Sequence, residues 1–194
     1  MLDLIIKNGQ CYIDGELKDV DVSVKDGKIQ NIGKITEEAK DTIDAKGLTV
    51  LPGCIDTQTH FREPGSTDTE DLHSGSRAAI AGGITAVFEM PNTNPPTSNK
   101  KEFQRKLDLA KNRMYCNYAF YFGATADNAN DLADLKNLEG CCGIKLFAGS
   151  STGNLLVADE KDIETVFQNS SKVVAVHSED CLLYTSPSPR DRSL

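Results

Sequence analysis

The sequence lacks several features that would assign a function class at once. Its six cysteines include no CxxC pair, and no glycine-rich segment has GxGxxG or Walker spacing, so neither a cysteine-based zinc site nor a phosphate loop is indicated. No apolar run approaches the roughly 18 residues of a membrane span. The N-terminus lacks the basic start and apolar region of a signal peptide, so we expect a cytoplasmic protein with reduced cysteines.

Positive charge is also scarce. The chain has 21 Lys and Arg against 29 Asp and Glu, a net charge of −8, which opposes attraction to nucleic-acid phosphates or to anionic membranes. A hydrophobic fraction of 39% within 194 residues is ordinary for a folded globular protein. We therefore expect a small-molecule substrate, and neither a nucleic-acid nor a membrane partner.

Residues 1–50 predict a small β domain. Val20, Val22 and Val24 alternate with polar or charged residues, which is typical of a half-buried strand, and Asp26-Gly27 is a hairpin-turn signal. The segment is too short for a full two-sheet core, so we expect a β-sandwich-like unit that needs further strands from a longer chain.

Residues 51–181 predict alternating strands and helices. Strand candidates begin near Val50, Ile84, Tyr115, Cys142 and Lys172, at spacings typical of βα units. Two helical stripes lie between them, one formed by Phe103, Leu107 and Ala110 behind an Asn99–Glu102 capping box, the other by Ile163, Val166 and Phe167 behind Asp159. The pattern predicts a parallel α/β sheet, either about five of the eight strands of a (β/α)8 barrel or an open doubly wound sheet.

Polar residues follow three of these strands, at the end where parallel barrels collect functional groups. His60, Arg62 and Glu63 follow the first, Lys145 lies within the fourth, and His177 ends the fifth. The first group is equally compatible with a solvated loop.

Lys145 needs an explanation because burying an ammonium without a partner is costly. It could extend to the surface along its aliphatic stem. Alternatively, its neutral amine could take up carbon dioxide to form a carbamate that bridges two cations, with the imidazoles of His60 and His177 as companion ligands. The second interpretation predicts a zinc site built from three strand ends.

Four segments in this order resemble dihydroorotases of the amidohydrolase superfamily. They are DTQTHFREPG at residues 56–65, MPNTNP at 90–95, GIKLF at 143–147 and VHSED at 176–180. The metal-binding pattern is shared with hydantoinases and allantoinases, which remain the alternatives, whereas FREPG and MPNTNP are more similar to dihydroorotase.

The resemblance implies a (β/α)8 barrel beside a small β domain, two zinc ions, and reversible ring closure of N-carbamoyl-L-aspartate to dihydroorotate in pyrimidine synthesis. His60 would be a zinc ligand, Lys145 the carbamylated bridging ligand and His177 a ligand of the second ion. Arg62 and Asn92 would hold the substrate carboxylate. The family's proton-transferring aspartate follows the last barrel strand, and no residue of this chain corresponds to it.

The sequence departs from the family pattern at two places. Gln58 stands where the family has its first metal histidine, and a neutral amide oxygen is a weak zinc ligand, so one metal position is weakened. Residues 182–194 resemble nothing in the family, and we expect a disordered, non-native tail joined to a truncated frame. The chain alone should then be inactive. Gln58 also keeps open a noncatalytic subunit that partners aspartate transcarbamoylase, and a homo-oligomer is a further possible assembly.

Overall fold

The computed structural model describes residues 1–149 and 154–179. The chain divides into two compact units, residues 1–54 and residues 55–194. The predicted tail at 182–194 lies outside the described residues, as does Cys181. No helix in the described ranges is both long and apolar enough to cross a membrane.

The first unit contains two small sheets. Their strands are β1 (Leu2–Lys7), β2 (Gln10–Ile13), β3 (Glu16–Asp19), β4 (Asp21–Lys25), β5 (Lys28–Gly33), β6 (Ala39–Asp44) and β7 (Thr49–Val50). The sheet of order β5-β4-β1-β6 has four strands, and the sheet of order β3-β2-β7 has three.

The predicted hairpin is present between β4 and β5. Asp26 and Gly27 have φ values of 51° and 72°, as a two-residue turn of type I′ requires, and β4 pairs with β5 antiparallel. The predicted one-sided burial of β4 is wrong at Ser23, which is fully buried and donates from Oγ to the Asn31 carbonyl at 3.3 Å. A hydroxyl that finds a backbone acceptor can replace an apolar side chain at such a position.

The second unit is a curled parallel half-barrel. Its elements are β8 (Cys54–Thr59), α1 (Leu72–Ala81), β9 (Ile84–Glu89), α2 (Lys100–Ala110), β10 (Asn117–Gly123), a 3₁₀ helix (Ala129–Leu135), β11 (Cys141–Phe147), α3 (Glu160–Asn169) and β12 (Val174–His177). The sheet order is β12-β11-β10-β9-β8, and the pairs from β9 to β12 are parallel. Each strand lies beside its predecessor without a reversal, as in a (β/α)8 barrel and unlike a doubly wound sheet. The barrel interpretation is therefore confirmed, and the doubly wound alternative is wrong.

Helices α2 and α3 begin where the caps predict. The Asn99 side chain accepts from the Glu102 backbone N–H, and the Asp159 side chain accepts from that of Lys161. The α3 stripe is only partly buried, because Val166 is buried whereas Phe167 is 51% exposed. The prediction of Phe167 as part of the buried stripe is therefore wrong.

The core of the second unit lies between the sheet and its helices. Its buried members include Phe103 of α2 and Phe120 and Phe122 of β10, whose rings lie 6.2–6.4 Å apart. The edge strands carry exposed apolar residues, Ile55 on β8 at 56% and Val176 on β12 at 39%. The central strands are thus fixed by packing on both faces, while β8 and β12 are the sheet edges within the described residues.

Candidate functional site

The five predicted site residues all lie at or near the carboxyl ends of the parallel strands. His60 directly follows β8, Arg62 lies two residues further on, and Asn92 follows β9 by three residues. Lys145 lies in the second half of β11, and His177 is the last residue of β12. In a parallel barrel this edge is where catalytic groups collect. The metal and substrate roles of these residues stay predictions.

Lys145 and His177 lie on the same face of the sheet. Lys145 pairs with Ala175 and Phe147 pairs with His177, so the two residues are one strand and two register positions apart. The Lys145 ammonium lies 5.0 Å from the centroid of the Phe147 ring, which is itself 6.1 Å from the His177 ring. Lys145 is 4% exposed, which argues against the alternative that it extends into solvent. Burial lowers the pKa of Lys145 and so favours the neutral amine that a carbamate requires.

His60 is held by an amide. Its Nδ1 lies 2.9 Å from Asn92 Oδ1, and because an amide oxygen only accepts, Nδ1 donates and Nε2 keeps its lone pair for a metal. Burial lowers the pKa of His60, and the charges of Arg62 and, more weakly, Lys145 add to this shift.

His177 has a different environment. Its Nε2 lies 3.1 Å from a carboxylate oxygen of Glu179, and both side chains are exposed to a similar degree. Because Nε2 is occupied by this contact, a metal would have to displace Glu179 from Nε2 or bind His177 through Nδ1 instead.

Arg62 and Asn92 line one cleft. Its volume is about 660 Å³, and its other lining residues are Pro64, Ser66, Thr93, Asn94, Pro96 and Asn154. Arg62 is exposed in a left-handed backbone conformation, with φ of 62°. The two residues predicted to hold a carboxylate thus reach the same cavity, and Asn92 connects that cavity to His60.

Glu63 corrects the solvated-loop interpretation of the segment after β8. It is 7% exposed, and its Oε2 accepts from the Leu72 backbone N–H at 2.9 Å, at the start of α1. Arg113 donates to both carboxylate oxygens, at 2.8 and 3.2 Å. This fork raises the pKa of Arg113. The solvated-loop alternative is therefore wrong for Glu63, although it describes Arg62.

Glu89 is a functional candidate that sequence analysis missed. It ends β9, is 1% exposed, and its Oε2 accepts from the Thr59 hydroxyl at 3.1 Å and from the Phe61 backbone N–H at 3.0 Å. These are the two residues that flank His60. A single buried carboxylate therefore accepts hydrogen bonds from the residues on both sides of a predicted metal ligand.

Lys106 is the counter-ion of Glu89. It is fully buried, its Nζ lies 3.4 Å from Glu89 Oε1, and it donates to the Met90 carbonyl at 2.8 Å and lies over the Phe120 ring. Burial raises the pKa of Glu89 and lowers that of Lys106, while the attraction between the two charges opposes both shifts. Lys106 lies three residues after Phe103 and four before Ala110 on α2, and this spacing is the sequence signal that places the lysine on the buried face of the helix.

Comparison with known proteins identifies the relationship. The model of the Amidohydrolase family matches residues 49–176. This range contains four of the five predicted site residues and ends one residue before His177. The chain belongs to the amidohydrolase family. An allantoinase of Escherichia coli O1:K1 / APEC is 37% identical over 190 residues, covering 93% of this chain and 42% of the relative. A dihydroorotase of Methanosarcina mazei is 37% identical over 185 residues, covering 93% of this chain and 40% of the relative.

Solved structures agree with this family. The L-hydantoinase (dihydropyrimidinase) of Arthrobacter aurescens superposes with a TM-score of 0.84 at 30% identity, covering 93% of this chain and 41% of that one. The chain therefore spans about 42% of the length of the curated amidohydrolases it matches. The family is established, while the relatives carry three different substrate names.

The donor set can be tested against the metal that this family generally binds. Within residues 1–149 and 154–179, no three His, Cys, Asp or Glu side chains come together as a metal cluster. The predicted set has only two imidazoles, from His60 and His177, so it requires Lys145 to contribute oxygens as a carbamate. Gln58 is exposed and lies two residues before His60, on the same face of the chain. The buried Lys145 and the Nε2 of His60 fit a metal in this prediction, whereas Gln58 would supply only a weak ligand at one position.

Proposed function

We propose that this amidohydrolase chain belongs to a zinc-dependent enzyme that opens and closes the cyclic amide of dihydroorotate, with N-carbamoyl-L-aspartate as the open form. The observation that carries this proposal is the position of Asn92, which lines the cleft together with Arg62 and is bonded to His60. A substrate carboxylate held by Arg62 would then lie beside the predicted metal ligand.

His60, Lys145 and His177 would hold the metal. The Lys145 amine would attack carbon dioxide, forming an N–C bond as one C=O π bond opens and releasing one proton, and the resulting carbamate would offer two oxygens that share one negative charge. The low exposure and lowered pKa of Lys145 support this reaction. His60 would bind through Nε2 while Asn92 fixes its tautomer. Zinc held by these residues would supply an activated water and would polarise the amide carbonyl.

Arg62 would select the substrate by charge. Dihydroorotate carries a carboxylate, whereas hydantoin and allantoin are neutral, and a guanidinium matches a carboxylate with two parallel hydrogen bonds. The exposed position of Arg62 at the cleft leaves its donors accessible to a ligand. Hydrolysis of allantoin or hydantoin remains the second candidate, because an allantoinase and a dihydroorotase match the chain with equal identity.

The substrate is tested by comparing turnover of dihydroorotate, allantoin and hydantoin by the full-length protein. Arg62→Met should lower kcat/KM for dihydroorotate by about 100-fold, the equivalent of one lost charge-assisted pair, and leave neutral substrates nearly unaffected. Arg77→Met, which removes an exposed arginine of α1, is the control. Equal loss on all three substrates would contradict the carboxylate role of Arg62.

The metal is tested at Lys145. Lys145→Ala should lose most of its zinc, measured by mass spectrometry of the metal content, and acetate or propionate should restore part of it by supplying carboxylate oxygens. Lys161→Ala, at an exposed site on α3, should retain zinc. Full zinc occupancy in Lys145→Ala would exclude the carbamate.

We place this enzyme in the cytoplasm. Among the described residues, Cys11, Cys116, Cys141 and Cys142 are reduced thiols, and reduced thiols are typical of that compartment. The net charge of −8 supports a small-molecule substrate and no nucleic-acid partner. Association with aspartate transcarbamoylase or with further copies of the chain stays a prediction.

A further inference from the structure

The chain on both sides of His60 is tied to one carboxylate oxygen. Glu89 Oε2 accepts the Thr59 hydroxyl and the Phe61 backbone N–H, at 3.1 and 3.0 Å. The Met90 backbone N–H also donates to the Thr59 carbonyl at 3.0 Å, which joins the ends of β8 and β9. His60 is therefore the middle residue of a three-residue segment whose neighbours are both anchored.

The other oxygen of Glu89 pairs with Lys106. Oε1 faces the Lys106 ammonium at 3.4 Å, in a pair that is at most 1% exposed on either side. Lys106 also donates to the Met90 carbonyl at 2.8 Å, so the ammonium is held in place by the backbone next to Glu89. All groups that face Glu89 here are donors, and only a carboxylate can accept through both oxygens at once.

We propose that Glu89 is a positioning residue that sets the place and ring orientation of His60, with Lys106 as its buried counter-ion. The proposal rests on the proposed function only where it takes His60 to be a metal ligand. The role of Glu89 would not need direct contact with a metal or a substrate. It acts through the backbone of Thr59 and Phe61, which sets where the imidazole projects.

An amide cannot do the same work in the presence of Lys106. In Glu89→Gln, an oxygen directed at Thr59 and Phe61 leaves the amide NH₂ facing the ammonium, and the opposite rotamer leaves NH₂ facing the Phe61 N–H. Both arrangements oppose donor to donor in a buried site. Adding Lys106→Met removes the opposing ammonium, so the glutamine can direct its oxygen toward Thr59 and Phe61 again.

The experiment uses full-length protein with ¹⁵N-labelled histidine. Imidazole spectra of the metal-free protein report the tautomer of each ring, and His60→Gln identifies the His60 signals. Wild-type His60 should show a single tautomer protonated on Nδ1, as the bond to Asn92 requires. Zinc affinity is measured in parallel by competition with a chelator.

Glu89→Gln should convert the His60 signals to a mixture of tautomers and weaken zinc binding by about 10–100-fold, the range typical of residues that orient a metal ligand. The double variant Glu89→Gln/Lys106→Met should recover the single tautomer and most of the affinity. Thr59→Val, which leaves the ion pair intact and removes one donor to Glu89, should shift the His60 signals in the same direction by less. It serves as the test if Glu89→Gln does not fold.

Leu132→Ala is the matched control, because it opens a cavity at a fully buried site on the 3₁₀ helix without touching Thr59, Phe61 or Glu89. It should lower stability while leaving the His60 signals and zinc affinity unchanged. Equal changes in this control, or unchanged His60 signals in both Glu89→Gln and Thr59→Val, would overturn the positioning role. If wild-type protein binds no zinc but Glu89→Gln still alters the His60 tautomer, the positioning role holds and the zinc-dependent function fails.

Discussion

Replacing Gly75 by alanine should destabilise the half-barrel, although the same change stabilises most helices. Gly75 is buried in α1, and an alanine Cβ there would lie 2.4 Å from Cδ1 and 2.7 Å from Cγ of the Phe61 ring. In an exposed helix, Gly to Ala stabilises by about 1 kcal/mol. Overpacking of a buried site costs about 1–3 kcal/mol. Because Phe61 is itself 7% exposed and follows His60 directly, the ring has little room to retreat, and the overpacking should win.

We expect a net loss of about 2 kcal/mol in the free energy of unfolding. The added Cβ would meet three Phe61 ring atoms at under 3.0 Å, which places the overpacking cost at about 3 kcal/mol, and the helix gain of about 1 kcal/mol is subtracted from it. Urea denaturation followed by circular dichroism measures it. Gly82→Ala, at the C-cap of the same helix, is the control, since Gly82 has φ of −87° and an added Cβ meets only carbonyl oxygens at 3.5 Å. That variant should be neutral or up to about 1 kcal/mol more stable.

A second shape change tests the cause. Phe61→Leu should make the additional loss from Gly75→Ala smaller, because a smaller side chain leaves space for the new methyl group. Gly75→Ala should also weaken zinc binding more than Gly82→Ala does, because Phe61 directly follows His60 and a displaced Phe61 ring would shift that residue. A Gly75→Ala protein as stable as wild type would refute the packing argument.

Two further substitutions have defined outcomes. Gln58→His should raise the zinc retained per chain after dialysis, because imidazole is a stronger zinc ligand than an amide oxygen. Gln104→His, at an exposed position of α2, should not raise it. No gain of zinc in Gln58→His would count against a metal position at residue 58. Arg113→Met should lower the free energy of unfolding by about 1–2 kcal/mol, because it leaves the nearly buried Glu63 carboxylate without its fork of donors. Arg105→Met, which breaks only an exposed helix pair, should change it by less than about 0.5 kcal/mol, and similar losses in both variants would contradict the special role of the Glu63 pair.

Local patterns in the sequence were sufficient for the parts of the fold that local physics decides. The Asp26-Gly27 turn, the caps Asn99 and Asp159 and the five parallel strands each depend on residues a few positions apart. The strand-end positions of His60 and Lys145 followed from the same reasoning, because apolar strands that turn polar mark the carboxyl edge of a barrel. Strand spacing alone left the barrel and the doubly wound sheet equal, and the sequential strand order decided between them.

The remaining features depend on which distant residues the topology brings together. Glu63 and Arg113 are 50 positions apart, and Glu89 and Lys106 are 17 apart, so neither pair has a local sequence period. Charged side chains are mostly exposed in folded proteins, and only the tertiary structure shows that both carboxylates are buried and paired. The sequence by itself determined which segments form strands and turns and which polar residues lie at the strand ends. Tertiary structure decided how the His60 segment is held, because desolvation and hydrogen-bond geometry exist only once distant segments meet.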